Sequence, residues 1–313
     1  MTVGGELQRR QFSFFNPVRY SLPVKLSVVL ITYNEEENIG RTLESVQPLV
    51  RDGKGEIVVV DSESDDQTVA IAQSHKAKVF VEKWKGYAVQ KNSAIAKATG
   101  DWILSLDADE ALDKDLQETL LGLLEALGFY EKLRADGSAS PIMLQDARAE
   151  IQKYVRDKAE EGFAGVFLPR KNFFMGRWIR HAGYWPDTKL RLFKKGAGAF
   201  EDRAVHEDVC VQGATVHIKS GALLHSSYPT LSVYIEHMDR YSSLGAQMAV
   251  EKGRSGFSFA NIVLRPILTF KYNYFLRLGF LDGHEGLLLN LYHAVYVSWK
   301  YAKVWELTRK RKA

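Results

Sequence analysis

Trp102-Ile103-Leu104-Ser105-Leu106-Asp107-Ala108-Asp109 is a strand-like apolar run that ends in two carboxylates. Side chains two residues apart in extended chain point the same way, so Asp107 and Asp109 can face one ligand. Paired carboxylates make a hard oxygen site suited to Mg²⁺ or Mn²⁺. An ion held there can bridge the protein to a diphosphate that the carboxylates alone would repel. The pair therefore points to chemistry on a nucleotide-linked substrate.

The segments before this stretch give it a setting. Leu26 to Ile31 is a continuous apolar run and reads as a buried strand. Thr32-Tyr33-Asn34 follows as a loop. Glu35 to Val46 has helical spacing, with Ile39, Leu43 and Val46 on one face and Asn34 as the expected N-cap. Glu56 to Val60, Thr68 to His75, Lys78 to Val81 and Tyr87 to Ala98 repeat strand and helix up to the acidic strand. Such alternation predicts βαβ crossovers and a largely parallel α/β sheet, which binds ligands at the carboxyl ends of its strands. Asn34, Asp61 and Asp107 all lie just past strand ends. Three polar loops are thus expected on one edge, with Asp61 facing the crevice.

Beyond the acidic strand, Asp113 is the expected cap of a helix running to Leu127. Residues 129–162 are charged and Ala-rich and read as a helical insertion with a loose turn. Val166 to Pro169, Lys189 to Phe193 and Ala214 to Ile218 read as later strands. From Leu231 helical spacing takes over. An aromatic, basic region from Arg265 to Phe280 follows, then an apolar helix around Leu287 to Trp299. The expected division is an N-terminal extension over residues 1–24, an α/β domain over 25–228 and a C-terminal helical region over 229–313.

Composition sets the class. At 313 residues, 46% hydrophobic and 26% charged, the chain is an ordinary globular protein able to bury a full core. Cys210 stands alone, which excludes an intramolecular disulfide and any cysteine-rich zinc site and suits a cytoplasmic location. Met1 to Arg10 is polar and Phe12 to Phe15 is too short for a signal-peptide core, so no signal peptide is expected. Gly286 to Trp299 is broken by Asn290 and His293 and falls short of the ~20 residues a spanning helix needs. The net charge of +4 is mild, and no nucleic-acid partner is expected. The tail Arg309-Lys310-Arg311-Lys312 is a basic cluster that reads either as a solvated end or, with the aromatic region, as peripheral contact with an anionic membrane on its cytoplasmic face.

Neither a G-x-G-x-x-G nor a Walker A sequence is present. The first loop after a strand instead carries Glu35, Glu36 and Glu37, which would repel phosphate. A nucleotide must present its base or ribose there, and its phosphates must meet a cation elsewhere. Asp61 can accept from a ribose hydroxyl or a base N–H. Lys91 and Asn92, on the third helix, can reach a base or a phosphate.

Thr32-Tyr33-Asn34-Glu35, Val60-Asp61-Ser62, Gln90-Lys91-Asn92 and Leu106-Asp107-Ala108-Asp109-Glu110 together resemble glycosyltransferase family 2. The resemblance covers roughly residues 25 to 225. It implies the GT-A fold, a Rossmann-like and mostly parallel sheet flanked by helices, here with a C-terminal helical appendage. A second block runs from Pro169 to Ile179, through Trp185-Pro186-Asp187 and Arg191-Leu192-Phe193, to Phe200–Glu207. It is similar to the branch that includes lipopolysaccharide-core β-1,4-glucosyltransferases.

The resemblance implies roles. Thr32, Asn34 and Glu35, with Asp61, would hold uracil and ribose. Lys91 and Asn92 would lie near the nucleotide, and Asp107 and Asp109 would hold the metal and the diphosphate. His206 reads either as a further metal ligand or as a hydrogen-bonded histidine at a strand end. Inverting transfer needs a general base on the acceptor hydroxyl, for which Asp202 and Glu207 are the candidates. Arg170, Arg177, Arg180 and Arg191 either bind an anionic acceptor or pair with local carboxylates. The expected activity is inverting transfer of a hexose from a nucleotide sugar, UDP-linked in the first instance. The acceptor would be a glycan or a lipid-linked glycan such as lipopolysaccharide core. A nucleotidyltransferase acting on a sugar phosphate fits the acidic first loop less well. A noncatalytic glycan- or lipid-binding protein on this scaffold would not need the full set of carboxylates.

Overall fold

The computed structural model describes residues 24–137, 139–158, 162–201, 208–254 and 256–310. β1 (Leu26–Thr32), α1 (Ile39–Val50), β2 (Gly55–Asp61), α2 (Thr68–Ser74), β3 (Lys78–Val81), α3 (Tyr87–Lys97) and β4 (Trp102–Asp107) alternate along the chain. The four strands pair in parallel, in the order β3–β2–β1–β4. Their burial on both faces explains the unbroken apolar runs. Leu26, Val28 and Leu30 of β1 face one core with Ile39 and Leu43 of α1. Val29 faces another, with Val58, Val60, Ile103 and Ala88 of α3. This period-two alternation sends Thr32 and Asp61 to the α1 side of the sheet and Asp107 to the α3 side.

The later elements are β5 (Glu110–Leu112), α4 (Lys114–Asp136), α5 (Pro141–Gln152), β6 (Gly165–Phe174), β7 (Arg177–Trp178), β8 (Asp187–Lys194), β9 (Gly198–Phe200), β10 (Val209–Val211), β11 (Thr215–His217) and β12 (Leu223–Tyr228). Hydrogen-bond order continues β4–β8–β6–β12–β5. β8 is antiparallel to both neighbours, β12 is parallel to β6, and β5 is antiparallel to β12. Only Ala108 and Asp109 separate β4 from β5. Three peptide steps span at most about 11 Å, whereas four flat inter-strand spacings would need about 19 Å. The five strands must therefore curl, and the acidic stretch closes the curl.

Two expectations change. α1 begins at Ile39, not at Glu35, and Asn34 is not its cap. Asn34 sits at φ 51°, and the backbone N–H groups of Asn34, Glu35 and Glu36 donate to Ser64, Thr68 and Asp66. Those tertiary bonds satisfy donors that a helix start would otherwise leave open. The second is the helix expected to end at Leu127: α4 runs on to Asp136, so the described part of 129–162, helical as read, is the end of α4, the turn at Gly137 and α5. Leu123, Leu127, Tyr130, Ala147 and Ile151 join the main core.

Asp113 caps α4 as expected, accepting from Leu116 N at 2.9 Å. At the C-terminal end lie α6 (Leu231–Glu251), α7 (Arg265–Lys271) between two π-helical turns, and α8 (Gly283–Lys310). Tyr234 of α6 and Leu289 of α8 pack on Phe174 and Ile179. No described helix is long and apolar enough to cross a membrane.

Candidate active site

The curl gathers one charged or titratable residue from each of its five strands. Asp107 ends β4, Glu110 starts β5, Arg170 lies on β6, Arg191 on β8 and His225 on β12. Asp107 accepts from Lys91 Nζ of α3 at 2.8 Å through one oxygen and from Arg191 through the other. Arg191 also donates to Glu110 at 2.6 Å, and Arg170 to the same carboxylate oxygen at 3.0 Å. Arg170 turns its other donors to Asp187, at 2.7 and 2.9 Å. Lys91, Asp107, Arg191, Glu110, Arg170 and Asp187 thus form one line of alternating charge, with Glu110 fully buried. Burial would raise the Asp107 pKa, but the Arg191 guanidinium and the Lys91 ammonium hold it well below the usual carboxylate range. Of the two readings of the arginines, Arg170 and Arg191 follow the second: both pair with local carboxylates.

Asp109 is placed differently. Its Oδ2 lies 3.2 Å from Nε2 of His225. Asn172 donates through Nδ2 to Asp187, so its Oδ1 faces the other ring nitrogen, Nδ1 of His225, at 2.7 Å. The Ser227 hydroxyl lies 2.6 Å from the same Nδ1, so Asn172 and Ser227 together orient the ring with Nε2 toward Asp109. Burial would raise the Asp109 pKa, but the bond from His225 lowers it below the ordinary value. Arg41 donates to the Asp109 carbonyl at 3.0 Å and fixes the turn. Glu35 is close enough to feel both aspartates. Burial first, then the charges of Asp109, Asp66 and Asp107, raise its pKa against a bond from Asn38.

Other predicted residues are brought near but occupied. Asp61 is fully buried, not open to the crevice. It accepts from Thr32 Oγ1 at 2.8 Å and from Ser64 N and Oγ at 2.9 and 2.6 Å. It therefore clamps the first two loops together. The Asn34 side chain accepts from Asp65 N at 3.1 Å and belongs to the same clamp. Asn92 holds Phe200 by two bonds, donating to its carbonyl and accepting from its N–H, each at 2.9 Å. Asp202, His206 and Glu207 lie outside the described residues. Arg177 pairs loosely with Glu285 at 3.7 Å, and Arg180 lies over the Trp178 ring.

Glu110, Asp187 and His225 were not singled out from the sequence as site residues. His225 sits in the polar strand Leu223–Tyr228, whose pattern gave no strand signal. Arg240 of α6 ties that helix to α3 by donating to the Tyr87 hydroxyl at 2.8 Å.

A divalent cation was the expected cofactor. Among the described residues no group of three or more histidines, cysteines, aspartates or glutamates is arranged to hold one. Asp109 and His225 fit as a pair, bringing a carboxylate oxygen and the Nε2 ring nitrogen within 3.2 Å of each other, the two donor types such an ion takes. Asp107 already has a cation on each oxygen.

Residues 27–130 match the family model described as Glycosyl transferase family 2. The lipopolysaccharide core biosynthesis glycosyltransferase LpsC of Rhizobium meliloti (strain 1021) is 29% identical over 297 residues, covering 90% of this chain and 92% of that one. The uncharacterized glycosyltransferase RT0209 of Rickettsia typhi is 27% identical, covering 91% of this chain and 88% of its own. Among solved structures, S. aureus TarS 1-349 in complex with UDP-GlcNAc is 16% identical, covers 92% of both chains and has a TM-score of 0.44. With acidic loops at the strand ends of a helix-flanked, largely parallel sheet, the chain is a glycosyltransferase. More particularly, residues 27–130 match the family 2 model, and the chain is similar along most of its length to a lipopolysaccharide-core enzyme.

Proposed function

We propose that the chain transfers a hexose, with inversion at the anomeric carbon, from a nucleotide sugar to a glycan or lipid-linked acceptor of the lipopolysaccharide-core kind. A UDP-linked donor is the first choice. The observation that carries the reading is the meeting of Asp109 and His225 beside Asp107 and Glu35, at the carboxyl ends of the parallel strands. Lys91 and Arg191 pin the Asp107 carboxylate, while Glu110 accepts from its N–H and Thr42 donates to the Ala108 carbonyl, so the stretch is held where a donor would lie. The Thr32–Asp61–Ser64 clamp fixes the loop that would meet base and ribose. Positioning of this kind is a large part of what an enzyme adds to a transfer reaction.

Asp109 and His225 would hold a divalent cation, Mg²⁺ or Mn²⁺, which supplies positive charge to the departing diphosphate. Asn172 and Ser227 hold the Nδ1 side of the His225 ring at 2.7 and 2.6 Å, which orients Nε2 toward Asp109. The general base is proposed from the sequence as Asp202 or Glu207.

The test is turnover of UDP-sugars with Mn²⁺, read as free nucleoside diphosphate. Asp109→Ala and His225→Ala are expected to lose about 100-fold or more of the rate. Unchanged turnover in both would overturn the assignment of this site. Release of pyrophosphate from a nucleoside triphosphate and a sugar phosphate would instead favour nucleotidyl transfer.

A further inference from the structure

Between Glu251 and Asp282 the chain has no acidic residue, but it carries Lys252, Arg254, Arg265, Lys271 and Arg277. The same stretch turns apolar side chains outward. Leu264, Ile267, Leu268, Tyr272, Phe275 and Leu276 recur three or four residues apart, the spacing of one helical stripe. They are 48% to 75% exposed, with Leu268 at 65% and Leu276 at 75%. Lys271 is exposed in the same stripe. Inward, Pro266 is buried, and Phe270 stacks on Tyr274 with ring centroids 5.1 Å apart. Phe257 and Phe259 before the stripe, and Leu278, Phe280 and Leu281 after it, extend the exposed apolar surface. A surface helix in water places its polar side outward, so this arrangement is inverted. A contiguous apolar patch with basic residues among it marks a surface built to meet something.

We propose that this stripe of α7 and its flanking turns docks on an anionic lipid bilayer, lying in the interface without spanning it. Charge selects the occupant. A second copy of the chain, meeting face to face, would set the same lysines and arginines against each other with no acid in the stretch to neutralise them. Anionic headgroups supply that neutralisation, while the leucines, Ile267 and the aromatics enter the acyl boundary and the basic side chains reach up to the phosphates.

The stripe is also tied to the site. Ala182 N donates to the Arg277 carbonyl at 2.9 Å, and His181 N to Asp282 at 2.9 Å. That segment runs on through Tyr184 to Asp187, the partner of Arg170. A docked stripe would thus hold the crevice close to the bilayer surface.

The experiment is flotation of the full chain with vesicles of phosphatidylcholine alone or of phosphatidylcholine mixed with phosphatidylglycerol. The wild type is expected to float with the anionic vesicles and much less with the neutral ones, and raised salt is expected to weaken it. Lys271→Glu should lower the bound fraction about fivefold or more, and the double variant Leu268→Asp/Leu276→Asp should stay at background. All three positions are exposed, so an unchanged melting midpoint will show that the variants fold. Wild type recovered in solution with both vesicle types, or equal flotation of wild type and the double variant, would overturn the proposal. So would a dimer, seen by light scattering without lipid binding, that the double variant splits. The readout needs no sugar donor, so docking and transferase activity can fail independently.

Discussion

Asp107 meets two cations inside the protein itself, and that pairing is invisible in the motif that contains it. Lys91 is sixteen residues earlier and Arg191 eighty-four later, and only the curl of the sheet brings the three together. The acidic pair, the first-loop residues and Lys91 could be named from residue type and position after a strand. Asp61 could be named too, but not its burial, because Thr32 and Ser64 saturate it only once both loops are folded. His225 escaped because nothing in Leu-Leu-His-Ser-Ser-Tyr distinguishes a site histidine from a loop histidine.

Away from the site, Glu56 accepts from Ser27 Oγ at 2.7 Å, Lys78 Nζ at 2.6 Å and both the N–H and hydroxyl of Thr99. Burial alone would raise its pKa, but these donors pull it from 4.5 down to about 2. The folded value lies below the unfolded one, so the stabilisation is present above about pH 4.5 and is lost as pH falls through about 2. Urea denaturation of Glu56→Gln should show a loss of about 1 to 2 kcal/mol at pH 6, kept modest by the exposed Lys78 partner. The gap from wild type should close between pH 4.5 and 2. A gap independent of pH would refute the role given to these donors.

At the scale of elements, strands with continuous apolar runs were legible, and so was every crossover helix between them. β5 was not, being only Glu-Ala-Leu, and β12 was not, being half polar. Both are strands because of their neighbours: β12 lies between β6 and β5, and β5 is held by β12. Pairing, not propensity, decides such short segments. Asp113 shows one residue joining several elements. Besides capping α4, it accepts from Ala222 N at 3.0 Å through Oδ1 and from Lys171 Nζ at 2.8 Å through Oδ2. Asp113→Ala should cost about 2 kcal/mol or more, read as a lowered urea midpoint. Asp113→Asn keeps the oxygen that accepts from Leu116 and Ala222 and should recover most of that loss. If the two variants are equally unstable, the ion pair with Lys171 matters more than the cap.

For the whole molecule, the sequence division near residue 229 remains a proposal with a physical basis. The α/β part has its large buried clusters on both faces of β1 and β4. The C-terminal halves of α6 and α8, beyond the Tyr234–Leu289 cluster, bury only the small residues Ala246 and Ala249 against Val304. Less buried apolar surface means cheaper local opening. Amide hydrogen exchange should therefore be slowest in β1, β2 and β4 and distinctly faster in the C-terminal halves of α6 and α8. Uniform protection across all five would mean that the chain opens as one unit, and the division would fall.

The line of alternating charge through the curl also governs how this protein can diverge. A lone change at Glu110 leaves Arg170 and Arg191 without their shared anion, and a lone change at Arg191 leaves the buried Glu110 and its neighbour Asp107 without the cation between them. Inherited variation at these positions is therefore expected in compensated pairs. Descendants that abandon one partner should have abandoned the other in the same lineage.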